Sequence, residues 1–178
     1  PYKPEIFWQF KEAIRGIGEA CRKLGTPVTG GNVSFYNEST EGPIFPTPVI
    51  GMLGLIESSA EPMTAHFKAI GDIIAVLGAP KGYLGGSEYM KLIHGKMAGD
   101  SPTLDLDEEY RVQTACLEMI RQGLLASAHD VSDGGILVAA AEMAIASGLG
   151  LDLTADAVGF DELLASYLVE SATPDLKL

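Results

Sequence analysis

Three pairs of adjacent glycines punctuate this sequence, at Gly30-Gly31, Gly85-Gly86 and Gly134-Gly135. Because glycine has no Cβ, it allows positive φ angles and lets the backbone lie close to another group. Each pair is followed by a polar residue or by a helix-like pattern, and short apolar runs lie between the pairs. This distribution of glycine pairs and apolar runs predicts short strands and helices joined by tight turns, in an α/β or α+β fold.

Helical periodicity is found in several stretches that begin or end at glycine. Apolar residues recur at spacings of three and four in the first of them, and Gly25 follows at the position of a C-cap. Gly148 would close the last helix in the same way, after a start at Ser132–Gly135 that offers capping groups. The predicted helices are Pro4–Leu24, a helix opened by Gly85–Glu88 and continuing through His94, Leu106–Leu125 and Ile136–Ala146.

Short apolar runs bounded by turn residues predict the strands. A polar, mixed stretch near residues 58–70 separates the first of them from the rest and predicts a boundary between two units. The predicted strands are Pro48–Glu57, expected to be buried, Ile73–Gly78, Ser127–Val131 as a brief strand or turn, Leu151–Leu153 and Tyr167–Glu170.

Composition limits the function classes. The chain has 178 residues, 47% of them apolar and 20% charged, which is typical of a folded protein. Its net charge of -12 makes nucleic acid an unexpected partner, although backbone N–H groups or Mg²⁺ can hold a phosphate in an acidic protein. Cys21 and Cys116 are expected to be reduced thiols, which suits the cytosol, and no apolar run has the length of a membrane span.

The segment Thr29–Ser34 carries the chemistry of most interest and has the sequence TGGNVS. Its paired glycines would let backbone N–H groups approach an anion. Asn32 offers an amide oxygen, a ligand suited to Mg²⁺, and Ser34 would lie on the same face of a strand and could donate to a substrate oxygen. The residues are equally compatible with a tight turn between a helix and a strand.

The other two glycine pairs favour helix caps, with Ser87 or Glu88 capping one helix and Ser132 or Asp133 the other. The Gly85-Gly86 segment lacks the lysine of a P-loop. His129 and Asp130 are adjacent, so on a strand they would point to opposite faces and form no catalytic dyad. The remaining histidines, His66 and His94, have no companions at the spacing of metal ligands.

Several segments together resemble a known family in order and in separation. They cover nearly the whole chain and resemble the synthetase subunit of phosphoribosylformylglycinamidine synthase, in the small form found in the multi-subunit enzyme. The segments are Pro4–Phe10, Pro27–Glu38, Pro46–Gly51, Leu84–Tyr89 and Ala128–Gly135.

The resemblance implies a fold built from domains like those of PurM, the aminoimidazole-ribonucleotide synthetase. Residues 1–60 would be the last part of an N-type, ATP-binding domain. Residues 61–178 would be a C-type domain that is truncated at its end. The implied activity is an ATP-dependent carbon–nitrogen ligase of purine biosynthesis in the cytoplasm, which converts formylglycinamide ribonucleotide to formylglycinamidine ribonucleotide. Ammonia would come from a glutaminase subunit, with a small bridging subunit as a further partner.

The resemblance also implies site residues. By that match Gly31 would contact ATP, Asn32 would bind Mg²⁺ and Ser34 would contact the substrate. No catalytic residue is assigned, because the family's catalytic histidines and most of its metal-binding carboxylates lie in a first N-type domain outside this chain. The isolated chain is therefore expected to be inactive.

One region departs from the family pattern. The sequence of Phe160–Glu170 resembles a strand region of the family in which an arginine is expected at the position of Ser166, and Leu163 and Leu164 replace small or polar residues. The resemblance therefore implies no arginine–phosphate contact from this turn.

Two alternatives remain open. The chain could belong to another enzyme of the same superfamily, such as aminoimidazole-ribonucleotide synthetase or selenophosphate synthetase, although the GNVSFYNE sequence argues against these relatives. It could instead be a non-catalytic structural or nucleotide-binding module. An apolar surface where the first half of the enzyme would dock is also expected, and with it self-association of the isolated chain.

Overall fold

A computed structural model describes residues 3–33, 38–56, 62–153, 159, 162 and 166–172. The chain divides into two compact units, Pro1–Ser59 and Ala60–Leu178. Among the described helices, none combines the length and the hydropathy that a membrane crossing requires.

The first unit begins with a long amphipathic helix, α1 (Pro4–Leu24), as the sequence predicted. Proline at the first helical position needs no hydrogen-bond acceptor for its nitrogen, and its fixed φ suits a helix start. The helix ends at Gly25, whose φ of 66° is left-handed and whose N–H donates to the carbonyl of Cys21. Two short strands follow, β1 (Glu38–Ser39) and β2 (Gly42–Pro43), and they pair antiparallel.

The buried strand predicted at Pro48–Glu57 is wrong for its described part, because residues 48–56 form no strand and are exposed. Val49, Leu53 and Leu55 are 92%, 101% and 95% exposed. A strand needs a neighbour for its N–H and C=O groups, and among the described residues none pairs with this segment. An apolar run supplies the side chains of a strand but not its partner.

In its described residues, the second unit contains a three-stranded sheet and three α-helices. Its strands lie in the order β3-β5-β4, with antiparallel pairing between neighbours, so the last of the described strands is the central one. The elements are β3 (Ile74–Leu77), α2 (Glu88–His94), α3 (Leu106–Arg121), β4 (Leu125–Asp130), α4 (Gly135–Ser147) and β5 (Tyr167–Ser171).

Most of the predicted elements of this unit are present, with two corrections. Helix α3 ends four residues earlier than predicted, and residues that continued its apolar pattern begin β4 instead. Gly123, with a φ of 69°, makes the turn between the two elements. The strand predicted at Leu151–Leu153 is wrong, since these residues form no strand. They line a cavity, as described below.

The core lies on both faces of this sheet. Leu168 packs on one face with Ala140 and Met143 of α4, and Val169 packs on the other face with Cys116 of α3. Neighbouring residues of β5 therefore serve opposite layers, as the period-two geometry of a strand requires. Burial raises the pKa of the Cys116 thiol. Both cysteines are free, as expected from the sequence.

Candidate functional site

The segment predicted to bind ATP, Mg²⁺ and substrate follows α1 and has no regular secondary structure over residues 26–33. Gly31 has a φ of 152°, a region that only glycine adopts without strain. A Cβ placed on Gly31 would meet no atom within 4 Å. Glycine is therefore needed here for its backbone conformation rather than for close packing. Ser34, the predicted substrate-binding residue, lies outside the described residues.

Asn32 is exposed, so its amide is accessible to a ligand. The oxygen of this side-chain amide is a hard ligand of the kind that Mg²⁺ binds. Mg²⁺ commonly completes its six ligands with phosphate oxygens and water. Within the part of the chain that the structure describes, no group of three or more His, Cys, Asp or Glu side chains could hold a metal ion. Asn32 could therefore give one oxygen ligand to a metal ion, whose other ligands would have to come from elsewhere.

The second glycine pair belongs to a helix cap, as predicted. Ser87 is buried; its Oγ accepts a hydrogen bond from the N–H of Met90 at 3.2 Å and donates to the carbonyl of Leu84 at 2.6 Å. Gly85 is required by packing, because a Cβ there would lie 2.3 Å from the carbonyl oxygen of Asp100. The hydroxyl of Ser87 therefore makes its hydrogen bonds within the protein.

The third glycine pair opens α4 without a side-chain cap, so the predicted cap by Ser132 or Asp133 is wrong. Ser132 instead donates its hydroxyl to the Oδ2 atom of Asp130 at 3.0 Å. Gly134 is left-handed, with a φ of 81°, and a Cβ on it would lie 2.3 Å from Val138. The acceptor for the Gly134 N–H comes from a distant part of the chain.

That acceptor is Glu162, which sequence analysis did not assign to any site. Its Oε1 atom accepts from the N–H of Gly134 at 2.8 Å and from the N–H of Glu88 at 2.7 Å. These partners lie 28 and 74 residues away in sequence. The carboxylate joins the starts of α2 and α4, where helix dipoles favour negative charge. Glu162 follows both glycine-rich turns in the sequence, and no local pattern there indicates its pairing with them.

A second carboxylate missed by sequence analysis is that of Glu170, whose side chain is completely buried in β5. It accepts hydrogen bonds from the N–H groups of Lys68 and Ala69 at 2.9 and 3.2 Å and from the hydroxyl of Ser127 at 2.8 Å. These bonds connect the segment before β3 to the centre of the sheet. Ser166, which stands where the family pattern has an arginine, is also buried.

Each histidine has a neighbour within the described structure. The Nδ1 atom of His129 lies 2.6 Å from the carbonyl oxygen of Asp130, and its Nε2 atom lies 3.2 Å from a carboxylate oxygen of Glu142. The Nε2 atom of His66 lies 2.8 Å from the amine of Lys68, and His94 makes an edge-to-face contact with Tyr89. The Oδ1 atom of Asp130 is 3.6 Å from His129, longer than a hydrogen bond.

Comparison with known proteins matches both units to one family. Residues 2–56 match the family model of the AIR synthase related protein, N-terminal domain, and residues 69–175 match that of its C-terminal domain. The PurM-like fold class inferred from the sequence is therefore confirmed.

Three similar proteins are all named phosphoribosylformylglycinamidine synthase subunit PurL. The protein of Symbiobacterium thermophilum is 57% identical over 83% of this chain, and that of Anaeromyxobacter sp. (strain Fw109-5) is 53% identical over 84%. The protein of Alkaliphilus metalliredigens is 47% identical over 95%. The matched region is 19%, 19% and 24% of the three relatives, so the chain spans about a fifth to a quarter of their length. This chain belongs to the AIR synthase related protein family and is similar to its PurL members.

Proposed function

We propose that this chain is a segment of the synthetase subunit of phosphoribosylformylglycinamidine synthase, an ATP-dependent ligase of purine biosynthesis. The reaction would convert formylglycinamide ribonucleotide to formylglycinamidine ribonucleotide in the cytoplasm, with ammonia supplied by a glutaminase subunit and a bridging subunit in the complex. The observation that carries this proposal is the identity of 47–57%, across 83–95% of the chain, to proteins that bear the PurL name.

The proposed contribution of this chain is one wall of the nucleotide and substrate site. Gly31 would let ATP phosphates approach the backbone, Asn32 would give an oxygen to Mg²⁺, and Ser34 would donate to the substrate. Bound Mg²⁺ would neutralise phosphate charge during phosphoryl transfer. The positive φ of Gly31 and the exposure of Asn32 support these roles.

Calorimetric titration tests the assignment of Asn32. The chain and its Asn32→Ala variant would be titrated with ATP in the presence and absence of Mg²⁺, with Thr29→Ala as a control in the same segment. We expect Asn32→Ala to weaken Mg²⁺-dependent ATP binding by at least about tenfold, the lower end of effects seen for residues that only orient metal ligands. Asn32→Asp, which keeps an oxygen ligand, should retain binding. Equal binding by the chain and Asn32→Ala, or none by either, would contradict the assignment.

An activity assay tests the proposal that the essential catalytic residues lie elsewhere in the enzyme. The isolated chain, given ATP, Mg²⁺, ammonia and formylglycinamide ribonucleotide, should give no product. Mixing it with a complementary remainder of a PurL subunit should restore turnover if the two parts associate. Product formed by the chain alone would contradict the proposal.

A second candidate is a structural or nucleotide-binding module without catalytic residues. It is favoured by the internal use of two glycine-rich turns, whose N–H groups at Glu88 and Gly134 are taken by Glu162. The two functions differ in the effect of Asn32→Ala on a reassembled enzyme. Loss of ligase activity without loss of stability would favour a direct role in the ligase, and unchanged activity would favour the module.

A further inference from the structure

A cavity of 420 Å³ opens in the second unit, and residues 84–89 are not among those that line it. It lies beside the face of the sheet that α4 covers, and loops at residues 69–72 and 149–153 complete its walls. Its volume falls within the roughly 300–1,000 Å³ of small-molecule sites. The apolar side chains that reach it from strands and α4 include Ile74, Val76, Ile136, Ala140 and Leu168.

Three carboxylates line this apolar cavity, and they differ in what they contact. Both oxygens of Glu170 already accept hydrogen bonds from the backbone or from Ser127. Within the described residues, Asp72 and Asp152 have neither a hydrogen bond nor an ion pair. Asp72 is half-buried and Asp152 is exposed, so both can meet a ligand that enters from solvent.

Among the described residues that line the cavity, none is basic. The amine of Lys68, close in sequence, contacts Thr64 and His66 instead. Two carboxylates beside apolar walls, in a chain of net charge -12, complement a cation that carries an apolar body. We infer that this cavity binds a small amphiphilic cation, a protonated amine whose hydrocarbon part packs between β3 and α4 and whose ammonium group lies near Asp72 and Asp152.

Two glycines, Gly71 and Gly150, belong to the cavity wall. A Cβ added to Gly71 or to Gly150 would meet no atom within 4 Å. Gly71 has a φ of 94°, so a side chain there would strain the backbone, whereas Gly150 carries no such restriction. Gly150→Leu is therefore the substitution that adds a bulky side chain to the cavity wall with the least disturbance of the fold.

Octylammonium, octanol and octanoate test the inference, because they share an apolar chain and differ in charge. Each would be titrated into the complete chain by calorimetry below its aggregation concentration. Octylammonium should bind saturably, octanol more weakly and octanoate not at all. Higher salt should weaken octylammonium binding and leave octanol binding unchanged.

Variants separate the role of charge from that of shape. The double variant Asp72→Asn with Asp152→Asn should bind octylammonium about two- to tenfold more weakly, as expected for two partly exposed ion pairs, and should bind octanol as before. Asp100→Asn, which removes an exposed carboxylate elsewhere in the unit, should change neither octylammonium binding nor octanol binding. Gly150→Leu should abolish binding of both while a thermal unfolding transition shows that it is folded.

Three results would overturn the inference. The first is the absence of saturable octylammonium binding to the unvaried chain. The second is equal binding of octylammonium and octanoate. The third is octylammonium binding that is unaffected by the paired aspartate substitutions or by a folded Gly150→Leu variant.

Discussion

The Oε1 atom of Glu162 accepts a hydrogen bond of 2.8 Å from the backbone N–H of Gly134, at the start of α4. The same oxygen accepts from the N–H of Glu88, at the start of α2. One side chain thus adds to the Ser87 cap of α2, serves the start of α4, which has no side-chain cap of its own, and joins two glycine-rich turns. Sequence patterns alone predicted a separate local cap for each helix and gave no sign of this shared acceptor.

Removing this carboxylate should release both turns together. Glu162→Ala leaves two N–H groups without their acceptor, so the free energy of unfolding should fall by about 1–3 kcal/mol in urea denaturation. Glu162→Gln, which keeps one acceptor oxygen, should lower the free energy of unfolding by a smaller amount. The amides of Glu88 and Gly134 should exchange hydrogen faster in Glu162→Ala, while the amide of Val131, which donates to Ser166, should not change. Acceleration at only one of the two amides would contradict a shared junction.

The buried carboxylate of Glu170 should contribute strongly to stability. Glu170→Gln puts an NH₂ group where an acceptor is needed by Lys68 or Ser127, and we expect a loss of about 1–3 kcal/mol in the free energy of unfolding. Ser127→Ala removes one donor and leaves the backbone bonds, so its cost should be about 1 kcal/mol. The double variant should cost less than the sum of the two, because both act on one network. Ser101→Ala, in an exposed loop, is the control.

Asp105 should make the second unit sensitive to acid. Its side chain caps α3, and hydrogen bonds from the N–H groups of Glu108 and Asp107 lower its pKa below the ordinary 3.8. A lowered folded-state pKa gives stability that is present above the unfolded pKa and is lost as pH falls through the folded one. The loss should therefore develop below about pH 4.

Asp105→Asn isolates this effect, because asparagine also caps helices but does not titrate in this range. Urea unfolding from neutral pH to about pH 2 should show a smaller loss of stability for Asp105→Asn than for the unvaried chain. Asp100→Asn should keep the original acid dependence. Parallel curves for the chain and Asp105→Asn would contradict the role of this cap.

The exposed apolar segment at residues 44–56 should promote self-association of the isolated chain. Phe45 is 84% exposed and Leu53 is 101% exposed, and surfaces of this kind mark contacts between proteins. Sedimentation velocity should show a growing fraction of larger species as concentration rises. Replacing Leu53 and Leu55 by serine should shift the distribution toward monomer, whereas Leu92→Ser, at an exposed leucine of α2, should have little effect. A monomer at every concentration would contradict this prediction.

Local patterns predicted the helices well. The spacing of apolar residues in α1 and the glycine that follows it are properties of neighbouring residues, so the sequence contained both the helix and its end. The cap at Ser87 was predictable for the same reason, since its partner Met90 lies three residues away. The same reasoning failed at Leu151–Leu153, where an apolar triplet forms part of a cavity wall instead of a strand.

In the candidate site, too, features that depend on neighbouring residues were predictable and contacts between distant residues were not. Glycine allows the positive φ found at Gly31, and the paired glycines in the sequence indicated such a conformation. The functions of Gly31, Asn32 and Ser34 stay predictions. The roles of Glu162 and Glu170 were not predictable, because each carboxylate serves donors far away in the sequence.

The sequence by itself determined the helices, their glycine ends and the apolar faces they present, because these depend on residues within a few positions of one another. The tertiary structure decided that β5, the last described strand, lies at the centre of the sheet, and that Glu162 joins the starts of α2 and α4. It also decided that residues 48–56 have no strand partner among the described residues. Hydrogen bonds between strands, and to buried or half-buried carboxylates, join groups that only the folded chain brings within about 3 Å.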